Sequence, residues 1–159
     1  MRVLCAAAMG VLLACGCSPG GERCGPQRAV VSRVIDGDTA DLEDGTRVRY
    51  LMIDTPEITG GKQDCYGQEA KDYNISLVEG KEVELAYDVE CSDPYGRLLA
   101  YVSVSGQEVN SRMVERGYAC VLYIPPNGED RRQDFETLEF QARSEGRGMW
   151  GACEEVSCD

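Results

Sequence analysis

Residues 28–53 read RAVVSRVIDGDTADLEDGTRVRYLMI, and three strand-like runs follow one another inside that stretch: Val30, Val31 and Val34, then Thr39 to Leu42, then Thr46 to Ile53. Asp44-Gly45 separates the last two runs. Asp-Gly between such runs is a strong hairpin signal, because both residues tolerate the positive φ that tight turns demand. Further along, strand candidates fall at Glu82 to Tyr87 and Leu98 to Val104, with a short sixth at Ala119 to Tyr123. Helical spacing links Ala70, Tyr73 and Leu77, then Val109, Met113 and Val114, then Phe135, Leu138 and Ala142. The pattern predicts an α+β domain, mainly β: a small antiparallel barrel whose strands are interrupted and flanked by helices. No internal repeat or second linker points to another domain.

The composition excludes whole chemistries. The 159 residues include 16 Lys plus Arg, 28 Asp plus Glu and no His, for a formal charge of −12. Without an imidazole there is no Ser-His-Asp or Cys-His nucleophile pair and no paired-His zinc helix. Catalysis must come from carboxylate, Arg, Lys, Tyr, Cys or a metal. Hydrophobic residues at 43% and charged residues at 28% are ordinary for a globular chain and argue against disorder.

Val3 to Ala14 is an almost unbroken apolar run behind Met1 and Arg2, too short to span a bilayer and of the length of a signal peptide's apolar region. It ends Leu12-Leu13-Ala14-Cys15, which resembles a bacterial lipoprotein cleavage box. Residues 1–14 are therefore expected to be removed and Cys15 to carry the lipid, with an ordinary cleaved signal as the alternative. Residues 15–27 form a Gly- and Ser-containing tether, 28–150 the folded domain, and 151–159 a Cys-containing tail. The mature protein is expected to be an exported, envelope-anchored or secreted monomer.

Nine Cys in an exported chain predict disulfides. Cys5 leaves with the signal and Cys15 takes the lipid, so an odd number remains, and Cys17 in the tether is the expected leftover. Zinc would want close C-x-x-C pairs, which the spacing lacks. The one pairing expected is Cys65 with Cys91, since both lie beside the motifs that follow.

Three short stretches carry the chemistry. In Val34-Ile35-Asp36-Gly37-Asp38-Thr39, two carboxylates flank a Gly between strands. An EF-hand loop starting at Asp36 would need Gly sixth and Glu twelfth, where Asp41 and Arg47 stand, so that reading fails. A tight turn and a metal site remain equally open on this motif alone. In Arg49-Tyr50-Leu51-Met52-Ile53-Asp54-Thr55-Pro56-Glu57, strict alternation would put Arg49, Leu51 and Ile53 on one face and Tyr50, Met52 and Asp54 on the other. An Arg among apolar neighbours needs an anionic partner, either a structural carboxylate or a bound phosphate. Pro56 then breaks the strand, which can hold Asp54, the Thr55 carbonyl and Glu57 at fixed angles. In Asp93-Pro94-Tyr95-Gly96-Arg97-Leu98, an Arg follows a Gly turn, where it either satisfies turn carbonyls or faces a ligand. The combined set of acids and Arg without His suits a hard, oxygen-loving cation such as calcium and an anionic substrate.

The stretches VIDGDT (34–39), RYLMIDTPE (49–57), YGQEAK (66–71), DPYGRLLAYV (93–102) and ERGYACVLY (115–123) resemble the staphylococcal nuclease (thermonuclease) family, in the same order and at matching intervals from about Arg28 to Trp150. The resemblance implies a five-stranded OB-fold barrel with three helices, and a calcium-dependent phosphodiesterase that cuts DNA and RNA to 3′-phosphorylated products. It implies calcium on the Asp38 and Asp54 carboxylates and the Thr55 carbonyl. It makes Glu57 the general base, Arg49 and Arg97 the phosphate clamps, and Tyr95 and Tyr123 the aromatic rings beside the substrate. Packing at the barrel rim is the other reading of the two tyrosines.

Departures from the family pattern bear on binding. The acidic surface repels a polyanion at long range, so weak, strongly salt-sensitive capture, or a short or abundant substrate, is expected. Pro94 stands where relatives often carry Lys, and Lys62 is the sole base in the loop 58–65. A non-catalytic nucleic-acid-binding envelope lipoprotein and a purely structural envelope protein are the competing readings. The triplet Asn74-Ile75-Ser76 has the glycosylation pattern and is read as chance.

Overall fold

The first three runs become strands β1 (Arg28–Val34), β2 (Thr39–Leu42) and β3 (Arg47–Tyr50) of a computed structural model, which describes residues 24–157. The leader, Cys15, Cys17, most of the tether and Cys158 lie outside the described residues. Gly45 takes the expected left-handed turn between β2 and β3, at φ 86°. β1 does not alternate cleanly because its pairing with β2 shifts register between Val31 and Arg33. That bulge explains why the apolar residues fall at 30, 31 and 34.

The chain continues through β4 (Ile53–Asp54), α1 (Gly67–Val78), β5 (Glu82–Ala86), β6 (Leu98–Val104), β7 (Gln107–Glu108), α2 (Val109–Glu115), β8 (Cys120–Val121), α3 (Arg132–Ser144) and a short α4 (Met149–Ala152). β1 pairs with β2 and β5, β2 with β3, and β5 with β6, all antiparallel. β3 then meets β6 in parallel, with Val48 beside Leu98 and Tyr50 beside Ala100, and closes a five-stranded barrel. The expected all-antiparallel barrel is therefore corrected at its seam. Closure removes two sheet edges that would otherwise expose unpaired backbone groups.

Val31, Val34, Leu42, Val48, Tyr50, Val83 and Val102 fill the barrel. Each buried side chain of this kind stabilises the fold by about 1.5–3 kcal/mol. α1 lays Ala70, Asn74 and Val78 against it, α2 contributes Val109, Met113 and Val114, and α3 contributes Phe135 and Ala142. Tyr73 of α1 stacks on Tyr118, just past α2, with ring centres 4.3 Å apart. Among the described residues no helix is long and apolar enough to cross a membrane.

Two expectations are overturned. The run from Thr46 to Ile53 is not one strand: Leu51 and Met52 turn, Met52 adopts a left-handed φ of 66°, and β4 resumes as a separate pairing with β8. The Met52 carbonyl accepts the Leu122 N–H at 3.0 Å, and its thioether lies where a side chain on residue 128 would otherwise stand. Gly128 makes room for it. The second correction concerns the disulfides. Cys24 bonds Cys91, Cys65 bonds Cys153, and Cys120 is disulfide-bonded as well, so Cys65 and Cys91 are not partners. β1 runs beside β5, and the Tyr87 hydroxyl donates to the Pro26 carbonyl, which brings Cys24 to the loop after β5 where Cys91 lies. Cys65 lies just before α1, and its neighbour Tyr66 packs on Tyr118 of the turn to which the start of α4 is tied by the Met149 N–H donating to the Gly117 carbonyl.

Candidate active site

The break at Met52 shapes the site. By simple alternation Arg49 and Asp54 would face opposite ways, yet the turn resets the parity and Arg49 Nη2 donates to Asp54 Oδ1 at 2.8 Å. Nη1 of the same guanidinium abuts Asp38 Oδ1 as an ion pair without hydrogen-bond alignment. Arg49 is nearly buried, with 14% of its side chain exposed. Burial alone would push its pKa down, but Asp38 first, and then Asp54 and Asp36, more than offset this and raise it.

Asp38 is held on both oxygens. Oδ2 accepts from the Thr55 backbone N–H at 2.8 Å and the Thr55 hydroxyl at 2.9 Å, while Oδ1 accepts the Thr39 hydroxyl at 3.0 Å. The loop between β1 and β2 thereby docks on the end of β4. Gly37 permits the approach, since a Cβ there would lie 2.6 Å from the Thr55 side chain. Asp36 accepts the Asp38 N–H at 3.1 Å. Burial, followed by repulsion from Asp38, pushes the Asp36 pKa up to about 7.

Glu57 follows Pro56 on a loop that closes on itself. Its backbone N–H donates to Asp64 Oδ2 at 3.2 Å, and the Asp64 N–H donates to the Glu57 carbonyl at 2.9 Å. The Glu57 carboxylate accepts from the Thr59 N–H and hydroxyl, both at 2.6 Å and both on Oε1. These bonds, with the Thr59 hydroxyl the largest contributor, hold its pKa below the ordinary glutamate value.

Arg97 reaches the site from the turn before β6. Its Nε donates to Asp93 Oδ2 at 2.5 Å, and Asp93 Oδ1 also accepts the Tyr95 and Arg97 backbone N–H groups. Its guanidinium carbon lies 5.6 Å from the centre of the Tyr95 ring.

Asp38, Arg49, Asp54, Thr55, Glu57 and Arg97 line one cavity of about 150 Å³, together with Asp36, Thr39 and Pro56. Every residue assigned from the sequence to catalysis or metal binding is in that set. The two tyrosines are not. Tyr95 is 85% exposed and lines an open groove next to the cavity. Tyr123 bonds the Glu129 carboxylate through its hydroxyl and lies under Arg132, 4.8 Å from ring centre to guanidinium carbon.

Four contributors were missed by sequence reasoning. Asp93 orients Arg97, Thr59 and Asp64 shape the Glu57 loop, and Asn74 ties α1 to the site. Asn74 is fully buried; its amide donates to the Asp36 carbonyl at 3.1 Å and accepts the Tyr50 hydroxyl at 3.2 Å. A single polar residue in the buried stripe Ala70, Asn74, Val78 was the available signal. That burial also disposes of the glycosylation pattern, because no glycan can be attached to an enclosed amide.

Among the described residues no group of three or more His, Cys, Asp or Glu side chains is arranged to hold a metal ion. The donor chemistry nevertheless fits a hard cation. Four carboxylates, from Asp36, Asp38, Asp54 and Glu57, meet two guanidinium groups in this cavity, and one of those, Arg97, already has its own partner in Asp93. Oxygen donors in excess of positive charge are what calcium seeks.

A family model described as staphylococcal nuclease homologue matches residues 47–152. The chain is 36% identical over 127 residues to the SPbeta prophage-derived endonuclease YokF of Bacillus subtilis, covering 76% of this chain and 43% of that protein. It is likewise 36% identical over 127 residues to endonuclease YncB of the same organism, covering 76% and 60%. With the thermonuclease of Staphylococcus intermedius it shares 34% identity over 126 residues, covering 76% and 74%. The chain thus spans about half the length of the two Bacillus proteins.

Proposed function

The chain belongs to the staphylococcal nuclease family, and from that premise we propose that it is a calcium-dependent nuclease hydrolysing phosphodiester bonds of DNA and RNA. The observation that carries this reading is the convergence of Asp38, Arg49, Asp54, Thr55, Glu57 and Arg97 on one small cavity from the β1–β2 loop, β3, the end of β4 and the turn before β6. A module that only binds nucleic acid has no use for that whole set.

Asp38, Asp54 and the Thr55 carbonyl would hold the calcium. When bound, it would neutralise phosphate charge and make phosphorus easier to attack. Glu57 holds a water molecule and takes its proton as the water oxygen bonds to phosphorus and the bond to the 5′ oxygen breaks. The Thr59 bonds on Oε1 keep this carboxylate ionised and fix its orientation. Arg49 and Arg97 present N–H groups to the phosphate oxygens as their charge grows. The Asp93 bond takes Arg97 by its Nε, which leaves the terminal nitrogens for the substrate. Tyr95 offers an aromatic face for a base, whereas one face of Tyr123 is already covered by the Arg132 guanidinium.

Export and a lipid on Cys15 belong to the same proposal, supported by the disulfides of the folded domain, which suit an oxidising compartment. A monomer acting on single-stranded or denatured nucleic acid is the working form.

The test is to incubate the purified protein with denatured DNA in calcium or in chelator, alongside Glu57→Gln. Cleavage is expected in calcium alone, with the variant slower by about 10²–10⁴. Binding without cleavage would establish the binding-only reading instead, and full activity of the variant would remove Glu57 from the chemistry.

A further inference from the structure

We infer that Arg47, with Arg33 behind it, forms a second phosphate-binding position one nucleotide away from the cavity, so that the protein favours a strand of several phosphates over a single linkage. The inference rests on reading the cavity as a phosphodiester site.

Strand register builds the position. Asp41 of β2 lies opposite Arg33 of β1 and opposite Arg47 of β3. The parallel pairing of β3 with β6 sets Val48 beside Leu98, which brings Arg47 alongside Arg97. The result is one row on the outer face of the barrel: Arg33, Asp41, Arg47, Arg97. Asp41 Oδ1 accepts Arg47 Nε at 2.6 Å, and Oδ2 accepts Arg47 Nη2 at 3.1 Å and Arg33 Nη2 at 2.9 Å. Two guanidinium groups share one carboxylate, so this part of the row keeps a positive charge after all its pairing. In a chain of charge −12, such a local excess is what a phosphate would find.

The row also has the right place and spacing. Arg47 and Arg49 stand two residues apart on β3, on the face opposite buried Val48 and Tyr50, hence about 6.6 Å apart along the strand. That is the reach of one nucleotide linkage. Beside Arg47 runs an open groove of about 570 Å³, bounded by Gly45 and Thr46 on one side and Tyr95 and Gly96 on the other. Arg97 lines both this groove and the cavity, so the two adjoin at its side chain. The exposed Tyr95 ring stands in the groove, where a base could stack while its phosphate meets Arg47.

The experiment compares wild type, Arg47→Ala, Arg47→Lys and Asp41→Asn. Cleavage kinetics are measured on a short single-stranded oligonucleotide and on a dinucleoside monophosphate with one linkage. Equilibrium binding of the oligonucleotide is measured against salt in calcium, with Glu57→Gln added to each chain to suppress cleavage. Arg47→Ala should raise KM several-fold for the oligonucleotide, leave kcat unchanged and leave the dinucleoside kinetics unchanged. Its slope of log affinity against log salt should flatten by about 0.7. Arg47→Lys should retain the salt slope, and Asp41→Asn, which releases both guanidinium groups, should tighten oligonucleotide binding. Equal KM changes on both substrates, an unaltered salt slope, or weaker binding by Asp41→Asn would overturn the inference. Arg47-dependent binding with no cleavage by any chain would sink the proposed nuclease function and leave this site standing. Cleavage indifferent to Arg47 would do the reverse.

Discussion

Arg49 and Arg97 border the same cavity but are supported in different ways. Arg49 sits on a barrel strand, 14% exposed, between carboxylates supplied by two other stretches of chain. Arg97 sits on a turn, 32% exposed, and its carboxylate partner is four residues away in the same turn. Glu57 resembles Arg97 in this respect, since its loop is closed by Thr59 and Asp64. The inner wall is therefore a product of tertiary folding, whereas each part of the rim is shaped by its own neighbours. Damage to the wall should cost stability as well as activity; damage to the rim should cost activity alone.

The contrast is tested hardest at Arg49. Arg49→Ala removes the guanidinium that Asp38 and Asp54 both contact, and removing one partner from a buried ion pair costs about 3–5 kcal/mol. Urea unfolding should show that loss, and calcium should restore part of it by supplying the missing charge; a variant as stable as wild type would mean the wall does not depend on its guanidinium. Asn74→Ala should come next. It strips the Asp36 carbonyl and the Tyr50 hydroxyl of a buried partner, for about 1–3 kcal/mol, and it should slow cleavage through misplacement of the loop that carries Asp38. Unchanged kcat in a destabilised Asn74→Ala would confine that residue to the fold. Arg97→Lys should change stability least, by less than about 1 kcal/mol, because Lys keeps a positive charge beside Asp93 and Arg97 itself stays partly in solvent. Its kcat should nevertheless fall for want of a planar fork, and a stability loss matching that of Arg49→Ala would erase the distinction between wall and rim.

Much of this was legible in the sequence because it follows from local periodicity. The three helices carry their apolar stripes in the open, and Asp44-Gly45 marks its hairpin. The membership of the cavity was implied by the family resemblance of the same short stretches, whereas the residues alone left a tight turn at 36–39 and a turn-satisfying Arg97 open. What escaped depends on contacts between distant residues. Nothing about Met52 announces a left-handed backbone, since the room for its side chain is made by a glycine at 128, on another part of the chain. For the same reason the partnership of Arg49 with Asp54 contradicts simple alternation. Disulfide partners were equally hidden, because Cys24 meets Cys91 only once β1 lies beside β5. Asn74 was visible as a polar residue in an apolar stripe, but its partners in the Asp36 loop were not.

The Cys24–Cys91 and Cys65–Cys153 bonds have a consequence for resistance to proteolysis. The loop around residues 58–63 and the turn around Tyr95 are the exposed places near the cavity where a protease would cut first. The Cys24–Cys91 bond spans the first and the Cys65–Cys153 bond spans the second. One nick in either place leaves a single covalent molecule whose severed ends remain tethered across the break, so neither fragment can drift off and the barrel can outlast an injury to the very loops that border its chemistry.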